Sequence, residues 1–278
     1  MNSVNKIFFI VLISITGLFG QITLDDQYNY ASGLYQHQKY FDAITELKRL
    51  QFFDKDKLFE YESNLLIGQS YKCGGMFDEA SKYFVLAELS SKTDEEYYVS
   101  RILNARANIL RRTTSHAEQI LMDLLSNKKF EPKKNEINYW LGWNAIFSDD
   151  WEKAYRIFSA SNTDTVLVNL CKSVDNEMYS VDFAKYSSYI LPGTGQFYTK
   201  EYISGLLSLG WNILSGYLTI NAFTEDRIFD GIIVGNFLWM RFYSGNIQNA
   251  EKFAVQKNLE ISNRALRYLH DQYTGNKP

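Results

Sequence analysis

The sequence predicts an all-α protein: a solenoid of helix pairs, then a glycine-rich helical hairpin and a long C-terminal helix. Three observations predict this class. The 278 residues include three prolines, and 46% are apolar, so few helix stops are forced and a core can be buried. Small residues recur at a constant spacing through the first half of the chain. The second half contains long glycine-rich stretches without charge.

Residues 1–20 have the layout of a signal peptide. Lys6 is their only charged residue, and the uncharged run 7–20 is short for a bilayer span of about 20 residues. Gly20 before Gln21 supplies a small residue for cleavage, although Leu18 suits that site less well than alanine would. We expect export with cleavage before Gln21. A retained membrane anchor is the alternative.

The chain has two cysteines, Cys73 and Cys171, which are too few for a disulfide framework. Nothing in their spacing positions them as a pair, so we expect free thiols. Pairing in an oxidising compartment is the alternative.

A repeat of 37 residues organises residues 21–161. Alanines at 43, 80, 117 and 154 are each 37 residues apart. Twelve residues before each alanine lies a second small residue, and four residues after it lies a large apolar one. The upstream small residues are Ala31, Gly68, Ala105 and Gly142, and the large residues are Leu47, Phe84, Leu121 and Phe158. Two small residues on paired helices permit close approach, and the large residue fills the remaining space.

This pattern resembles the tetratricopeptide repeat (TPR), most clearly over residues 68–87. The resemblance implies four stacked helix pairs, with Gly68 facing Ala80 across one pair. The copy around Ala117 departs from the pattern, because Asn104 and Asn108 stand where apolar residues belong. We expect residues 162–185 to form a capping helix and linker, with the helix beginning at Thr163 or Asp164.

The TPR register places the first helix of each repeat on a concave face. Its residues there are Tyr28, Ser32, Tyr35, Leu65, Gln69, Lys72, Ile102, Arg106, Ile109, Tyr139, Trp143 and Ile146. The resemblance implies a groove for an apolar helix or extended peptide of a protein partner, with Tyr139 and Trp143 as anchors. Only Lys72 and Arg106 suit an acidic C-terminal tail, which disfavours that ligand. Filling of the groove by later helices of the same chain is the alternative.

The glycine-rich half predicts a hairpin of two membrane helices. Residues 203–223 are uncharged and long enough to cross a hydrocarbon core of about 30 Å, and residues 228–243 follow a charged turn. Small residues that permit helix contact in lipid recur along both arms: Ser204, Ser208, Asn212, Gly216, Gly231 and Gly235. We expect Gly231 and Gly235 to approach the stripe of Ser208 and Gly216. A buried hairpin in a soluble domain is the alternative, favoured by Asp230 and Arg241.

Two segments of this half carry a second resemblance. LPGTGQFYTKEYISGLLSLGWN (191–212) is similar to the PGxGQFY segment that opens a small membrane module in bacterial envelope proteins, often behind TPR repeats. RFYSGNIQNAEKFAVQKN (241–258) is similar to its closing segment. The resemblance implies a membrane-associated module over 186–246 at the periplasmic side of the envelope. Residues 247–278 then form the C-terminal amphipathic helix and tail.

Local residue types refine the start of this module. Pro192 is expected to end a short helix, and Gly193 and Gly195 permit positive φ after it. A phosphate-binding role for this lone GxG is disfavoured, because no strand precedes it.

The sequence offers no sign of catalysis. His37, His116 and His270 are isolated, so no metal is expected, and no nucleotide or hydrolase motif predicts a cofactor or an enzyme. A net charge of −3 disfavours nucleic acid. We therefore expect a non-catalytic adaptor or assembly factor with an unknown protein partner and membrane lipid. The alternative is a membrane module that aids transport or insertion of lipid or protein, with the repeats recruiting the client.

Overall fold

The computed structural model describes residues 23–161 and 164–278, and every regular element in these ranges is a helix. The all-α prediction is therefore confirmed. The predicted signal peptide and Thr163 lie outside the described residues. The chain divides into two compact units, the first comprising 23–150 with 160–161, the second comprising Trp151–Ser159 with Asp164–Lys277.

The first unit is a succession of helices joined by short turns. Its elements are α1 (Leu24–Gln36), α2 (Tyr40–Phe53), α3 (Glu60–Cys73), α4 (Phe77–Ser90), α5 (Asp94–Leu110), α6 (Thr114–Ser126), a 3₁₀ segment (Lys128–Lys133) and α7 (Lys134–Phe147). Thr23 and Thr93 begin α1 and α5 with capping boxes, in which each threonine exchanges hydrogen bonds with an acidic residue three positions later.

Helices of the second unit vary more in length. They are α8 (Trp151–Ser161), α9 (Thr165–Glu177), α10 (Val181–Ile190), α11 (Thr194–Tyr198), α12 (Tyr202–Thr224), α13 (Ile228–Ile233), a π-helical segment (Val234–Trp239) and α14 (Met240–Asp271). Most of α8 belongs to this unit, where the indole N–H of Trp151 donates to Ser262 at 3.2 Å. The second helix of the fourth predicted repeat thus belongs mostly to the second unit.

One turn geometry ends the first helix of each predicted repeat. A residue with positive φ occurs at 38, 75, 112 and 149, again 37 residues apart. The N–H of the next residue donates to a carbonyl five positions back, as from Met76 to Tyr71 at 2.8 Å. The period read from side chains is thus also present in the backbone. Only Gly75 is a glycine, so the other three turns accept the cost of a left-handed conformation.

All eight small residues of the repeat pattern are buried, and Gly68 shows why size matters there. A Cβ built on Gly68 would lie 2.7 Å from the buried ring of Phe84. The residue that Gly68 faces most closely is therefore Phe84, whereas Ala80 packs with Leu103 and Ala107 of α5. The pairing of Gly68 with Ala80 itself stays a prediction.

Buried polar contacts explain the divergent copy around Ala117. Ser81 donates to Oδ1 of Asn104 at 2.7 Å, and Nδ2 of Asn108 donates to the same oxygen at 2.9 Å. The Thr113 hydroxyl donates to Oδ1 of Asn108 at 2.8 Å. These polar side chains are tolerated in place of apolar ones because each forms a hydrogen bond with a residue of α4, α5 or the turn after α5.

One boundary in the second half agrees with the prediction and one differs from it. Asp164 caps α9 by accepting from the N–H groups of Val166 and Leu167, as one of the two expected cap positions. Val234 and Met240 keep right-handed helical dihedrals, so α13, the π segment and α14 form one continuous helix. The predicted boundary after residue 246 therefore falls inside this helix.

We predict that Gly68→Ala destabilises the first unit by about 1–3 kcal/mol, because the added methyl group overlaps the Phe84 ring. Gly33→Ala is the matched control. A Cβ at Gly33 meets nothing within 4 Å, so alanine there should stabilise by about 0.5–1 kcal/mol. Urea unfolding of the full-length protein measures both. Equal effects of the two variants would contradict the tight helix contact.

Candidate functional site

The predicted groove of the first unit is only partly accessible. Its half-buried members are Tyr28, Ser32, Tyr35, Leu65, Gln69, Lys72, Arg106 and Tyr139. Ile102, Ile109 and Ile146 are buried, and Trp143 is only 2% exposed. The expectation that Trp143 anchors a partner is therefore wrong for this structure, because its side chain offers no surface. What remains accessible is more polar than the sequence suggested.

Lys72 and Arg106 give this groove its electrostatic character. Burial, and then the positive charge of Arg106, lower the pKa of Lys72 to about 8. Burial also lowers the pKa of Arg106, whose guanidinium lies 4.4 Å from the ring centroid of Trp140. Glu136 lies close enough to oppose this lowering at Arg106, so part of the positive charge is already compensated within the chain. Two neighbouring, partly dehydrated cations still favour a polar or acidic group of a ligand over a purely apolar one.

In the second unit, the side chain of Asn246 joins three helices and a loop. Its Oδ1 accepts from the N–H of Gly193 at 2.8 Å and from the Ser208 hydroxyl at 2.9 Å. Its Nδ2 donates to the Ser188 carbonyl at 3.0 Å. Its own carbonyl accepts from Nε2 of Gln196 at 2.9 Å. All these groups lie between α10, the loop before α11, α12 and α14, and the asparagine satisfies them together.

The loop glycines permit this packing in two different ways. Gly193 has a φ of 96°, and a Cβ there would lie 2.6 Å from the Gly205 carbonyl oxygen. Gly195 does not share this positive φ. It lacks room instead, since a Cβ would overlap the Ala184 carbonyl and the Ala250 methyl group. The two segments singled out in the sequence, 191–212 and 241–258, therefore meet through glycine, alanine and Asn246.

Beyond this junction, α12 and the return arm (residues 228–240) form a hairpin. A Cβ on Gly231 would meet the Phe223 ring, and one on Gly235 would meet Thr219 at 3.2 Å. A Cβ on Gly216 would lie 3.4 Å from the indole ring of Trp239. The expected contact of Gly231 and Gly235 with Ser208 and Gly216 is thus corrected, and Ser208 is bonded to Asn246.

Polar side chains on the inner face of the hairpin bond to their own helix. Ser215 donates to the Trp211 carbonyl at 2.5 Å, and Thr219 donates to the Ser215 carbonyl at 2.7 Å. Nδ2 of Asn212 donates to the Ser208 carbonyl at 2.8 Å. These bonds need no water, so the inner face tolerates a dry environment.

The outer face of the hairpin is apolar and exposed. Ile203 is 77% exposed and Phe229 is 74% exposed, and many others project outward: Leu206, Leu207, Ile213, Tyr217, Ile220, Ile232 and Phe237. Of the described helices, α12 alone is long and apolar enough to cross a membrane, by length and composition. Its 23 residues span about 35 Å.

Charged pairs lie at the two ends of this apolar surface. Lys257 contacts Glu201 at 3.1 Å just before α12 begins. Arg227 contacts Asp230 at 3.7 Å at the hairpin turn. Residues 202–224 between them carry no charge. The charges therefore bracket an uncharged span.

A cavity of about 620 Å³ opens at the base of the hairpin, between α12 and α14. Its wall includes Ser204, Trp211, Asn212, Arg241, Phe242 and Asn249. The cavity lies beside the junction, and Asn246 is also one of its lining residues.

Metal-ligating side chains and cysteine thiols are the remaining candidates for chemistry. Among the described residues, no group of three or more histidine, cysteine or acidic side chains is arranged to hold a metal. Both cysteines are free thiols. Burial raises the pKa of Cys171 to about 12, so that thiol resists reaction, whereas Cys73 is exposed.

We predict that Lys72 reacts with acylating reagents with a midpoint near pH 8, because its lowered pKa leaves the amine neutral above that pH. Lys82 is the control, since its hydrogen bond to Glu79 raises its pKa. Mass spectrometry of labelled peptides across pH gives both profiles. Arg106→Gln should move the Lys72 midpoint upward, and an unchanged midpoint would contradict the coupling of the two cations.

We also predict that Asn246→Ala increases hydrogen exchange of the backbone amides in residues 191–199, which comprise the loop before α11 and α11 itself. The variant leaves the Gly193 N–H and the Ser188 carbonyl without their partner, which costs about 1–3 kcal/mol for each buried group. Asn263→Ala, at an exposed position of the same helix, should leave exchange unchanged. Protection of the loop amides that survives Asn246→Ala would show that the asparagine does not hold the junction.

No family model matches this chain, and no curated protein and no solved structure matches it.

Proposed function

We propose that this protein is a non-catalytic adaptor or assembly factor of the cell envelope. Its first unit binds a protein partner through TPR-like repeats, and its hairpin holds the chain at a membrane. The exposed apolar surface of the hairpin is the observation that carries this proposal. Separate features of the chain support the repeats and the membrane module.

The hairpin is a poor candidate for the core of a water-soluble domain. Transfer of one large apolar side chain from water to an apolar environment contributes about 1.5–3 kcal/mol, and the hairpin leaves many of them outside. Soluble monomers rarely expose an apolar patch larger than a few hundred Å². A lipid environment covers this surface, and the inward-facing hydroxyls of Ser215 and Thr219 are already bonded within their helix.

The ends of the hairpin suit the two surfaces of a bilayer. The uncharged span of about 35 Å exceeds a hydrocarbon core of about 30 Å. Tyr186, Tyr189 and Tyr202 are exposed near its base, where amphipathic rings favour the membrane interface. With the export expected from residues 1–20, the repeats and α14 stay on the periplasmic side, and the turn at 225–227 reaches the opposite side.

Partner binding by the first unit is supported by two features. The 37-residue recurrence of one turn matches the TPR-like pattern of small and large residues. The groove retains aromatic and polar surface at Tyr35, Gln69 and Tyr139 beside the cations Lys72 and Arg106. This surface suits an extended peptide that carries an acidic side chain better than the purely apolar segment expected at first.

The second candidate function is a membrane module that aids transport or insertion of lipid or protein, with the repeats recruiting the client. The cavity at the base of the hairpin favours it, because the cavity adjoins the apolar surface. A variant with a blocked cavity that still binds the partner distinguishes the two functions. Loss of transport or insertion in that variant would support the membrane module, and unchanged function would support the adaptor.

We predict that a cysteine at position 213 is protected from a water-soluble maleimide in native membranes. Ile213 is 63% exposed in the structure, so a soluble hairpin would label readily. Tyr30→Cys is the matched control at 60% exposure in the first unit, in a Cys73→Ser background. We expect labelling at position 30 and none at 213 until detergent is added.

The same experiment tests topology. Asp226→Cys, at the hairpin turn, should label only when reagent reaches the side opposite the repeats. Full labelling of position 213 without detergent, or release of the protein by alkaline carbonate, would show that the hairpin does not enter a bilayer.

A further inference from the structure

The cavity at the base of the hairpin combines an apolar wall with a polar one. On the apolar side, the rings of Trp211 and Phe242 stack with centroids 5.1 Å apart and planes 12° from parallel. The lining also includes serine and asparagine residues and Arg241. A ligand that fills this cavity therefore has a polar head and an apolar part.

The charge of the cavity is positive. No carboxylate is among the described residues that line it, and Arg241 makes no ion pair with any described residue. Other charges of this region are already paired, as Lys257 is with Glu201 and Lys185 is with Glu251. An arginine left without a partner presents a planar fork of donors that matches a phosphate group.

An unsatisfied acceptor lies in the same wall. Asn212 is 5% exposed, and its Oδ1 has no hydrogen-bond partner among the described residues. The Nδ2 of this amide already donates to Ser208, which leaves the oxygen to be satisfied. A buried acceptor without a partner costs about 1–3 kcal/mol, so a hydroxyl or ammonium donor from a ligand would be favoured.

The position of the cavity relates it to lipid. It begins beside the first turns of α12, close to the charged residues that precede the uncharged span. Leu207 and Trp211, both exposed, continue from the cavity wall onto the apolar surface. If the hairpin lies in a bilayer, the cavity is at the depth of the headgroups.

We infer that this cavity binds the headgroup of a phospholipid, with Arg241 contacting the phosphate and Asn212 accepting from a headgroup hydroxyl or ammonium group. The acyl chains then lie along the exposed surface of α12. This inference rests on the proposed membrane role, because it requires lipid beside the hairpin. Glycerol and ethanolamine headgroups both supply the required donor.

The test uses full-length protein in detergent and native mass spectrometry to measure bound phosphatidylglycerol. Diacylglycerol with the same acyl chains provides the probe without phosphate, and inorganic phosphate provides the soluble competitor. Arg241→Gln should weaken phosphatidylglycerol binding about tenfold, as expected for loss of one charge-assisted contact. Arg241→Lys should weaken it less. Arg267→Gln, an exposed arginine on the same helix, should leave it unchanged.

Three outcomes would overturn the inference. They are equal binding by Arg241→Gln and wild type, equal binding of diacylglycerol and phosphatidylglycerol, and displacement of the lipid by millimolar inorganic phosphate. The last outcome would assign the cavity to a soluble anion. Unchanged circular dichroism of Arg241→Gln separates lost binding from lost folding.

Membrane extraction keeps this result apart from the proposed function. Arg241→Gln should remain in carbonate-washed membranes, because the hairpin surface is intact. Release of the wild type under the same wash would contradict the membrane role itself, whatever the lipid measurement gives.

Discussion

Helix contacts in both units depend on glycines that receive aromatic rings. Gly68 accommodates Phe84 in the first unit, and in the second Gly205 accommodates Phe197 and Gly231 accommodates Phe223. A Cβ at any of these three glycines would lie 2.9 Å or less from the ring, so the helices cannot keep their separation if the glycine gains a side chain. Aromatic residues make up 16% of the chain, and this pairing gives part of them a defined partner. The constraint is steric, so it holds in water and in lipid alike.

The same type of turn joins consecutive helices within each of the two units. Lys200 and Asp226 have positive φ like the four repeat turns, and the N–H groups of Glu201 and Arg227 donate to carbonyls five residues back. The turn that closes the predicted repeats therefore also closes the proposed membrane hairpin. Its geometry satisfies the carbonyls at the end of one helix from the backbone alone, so it needs no particular side chain. This independence allows the same connection in a charged turn and beside an uncharged helix.

The hairpin and its junction have polar groups inside and large apolar side chains outside, the opposite of a water-soluble domain. Inside the junction, Ser208 and Gln196 each donate to Asn246, which also accepts from the Gly193 N–H. Isoleucine, leucine and phenylalanine side chains instead project outward from the hairpin. This distribution is what a membrane environment stabilises, and it underlies the proposed function. In the first unit, by contrast, the half-buried Lys72 and Arg106 keep polar groups within the predicted groove.

The sequence by itself determined the features that depend on composition and spacing. The all-α class, the 37-residue period, the uncharged span of α12 and a helix cap at Thr163 or Asp164 all follow from local propensity and periodicity, which are properties of neighbouring residues. Only the tertiary structure decided which small residue faces which large one, that Trp143 and Ile146 are buried, and that α13 and α14 are continuous. It also decided the role of Asn246, which bonds to residues more than fifty positions away. Such partners depend on how helices approach in space, and a spacing pattern along the chain does not contain that distance.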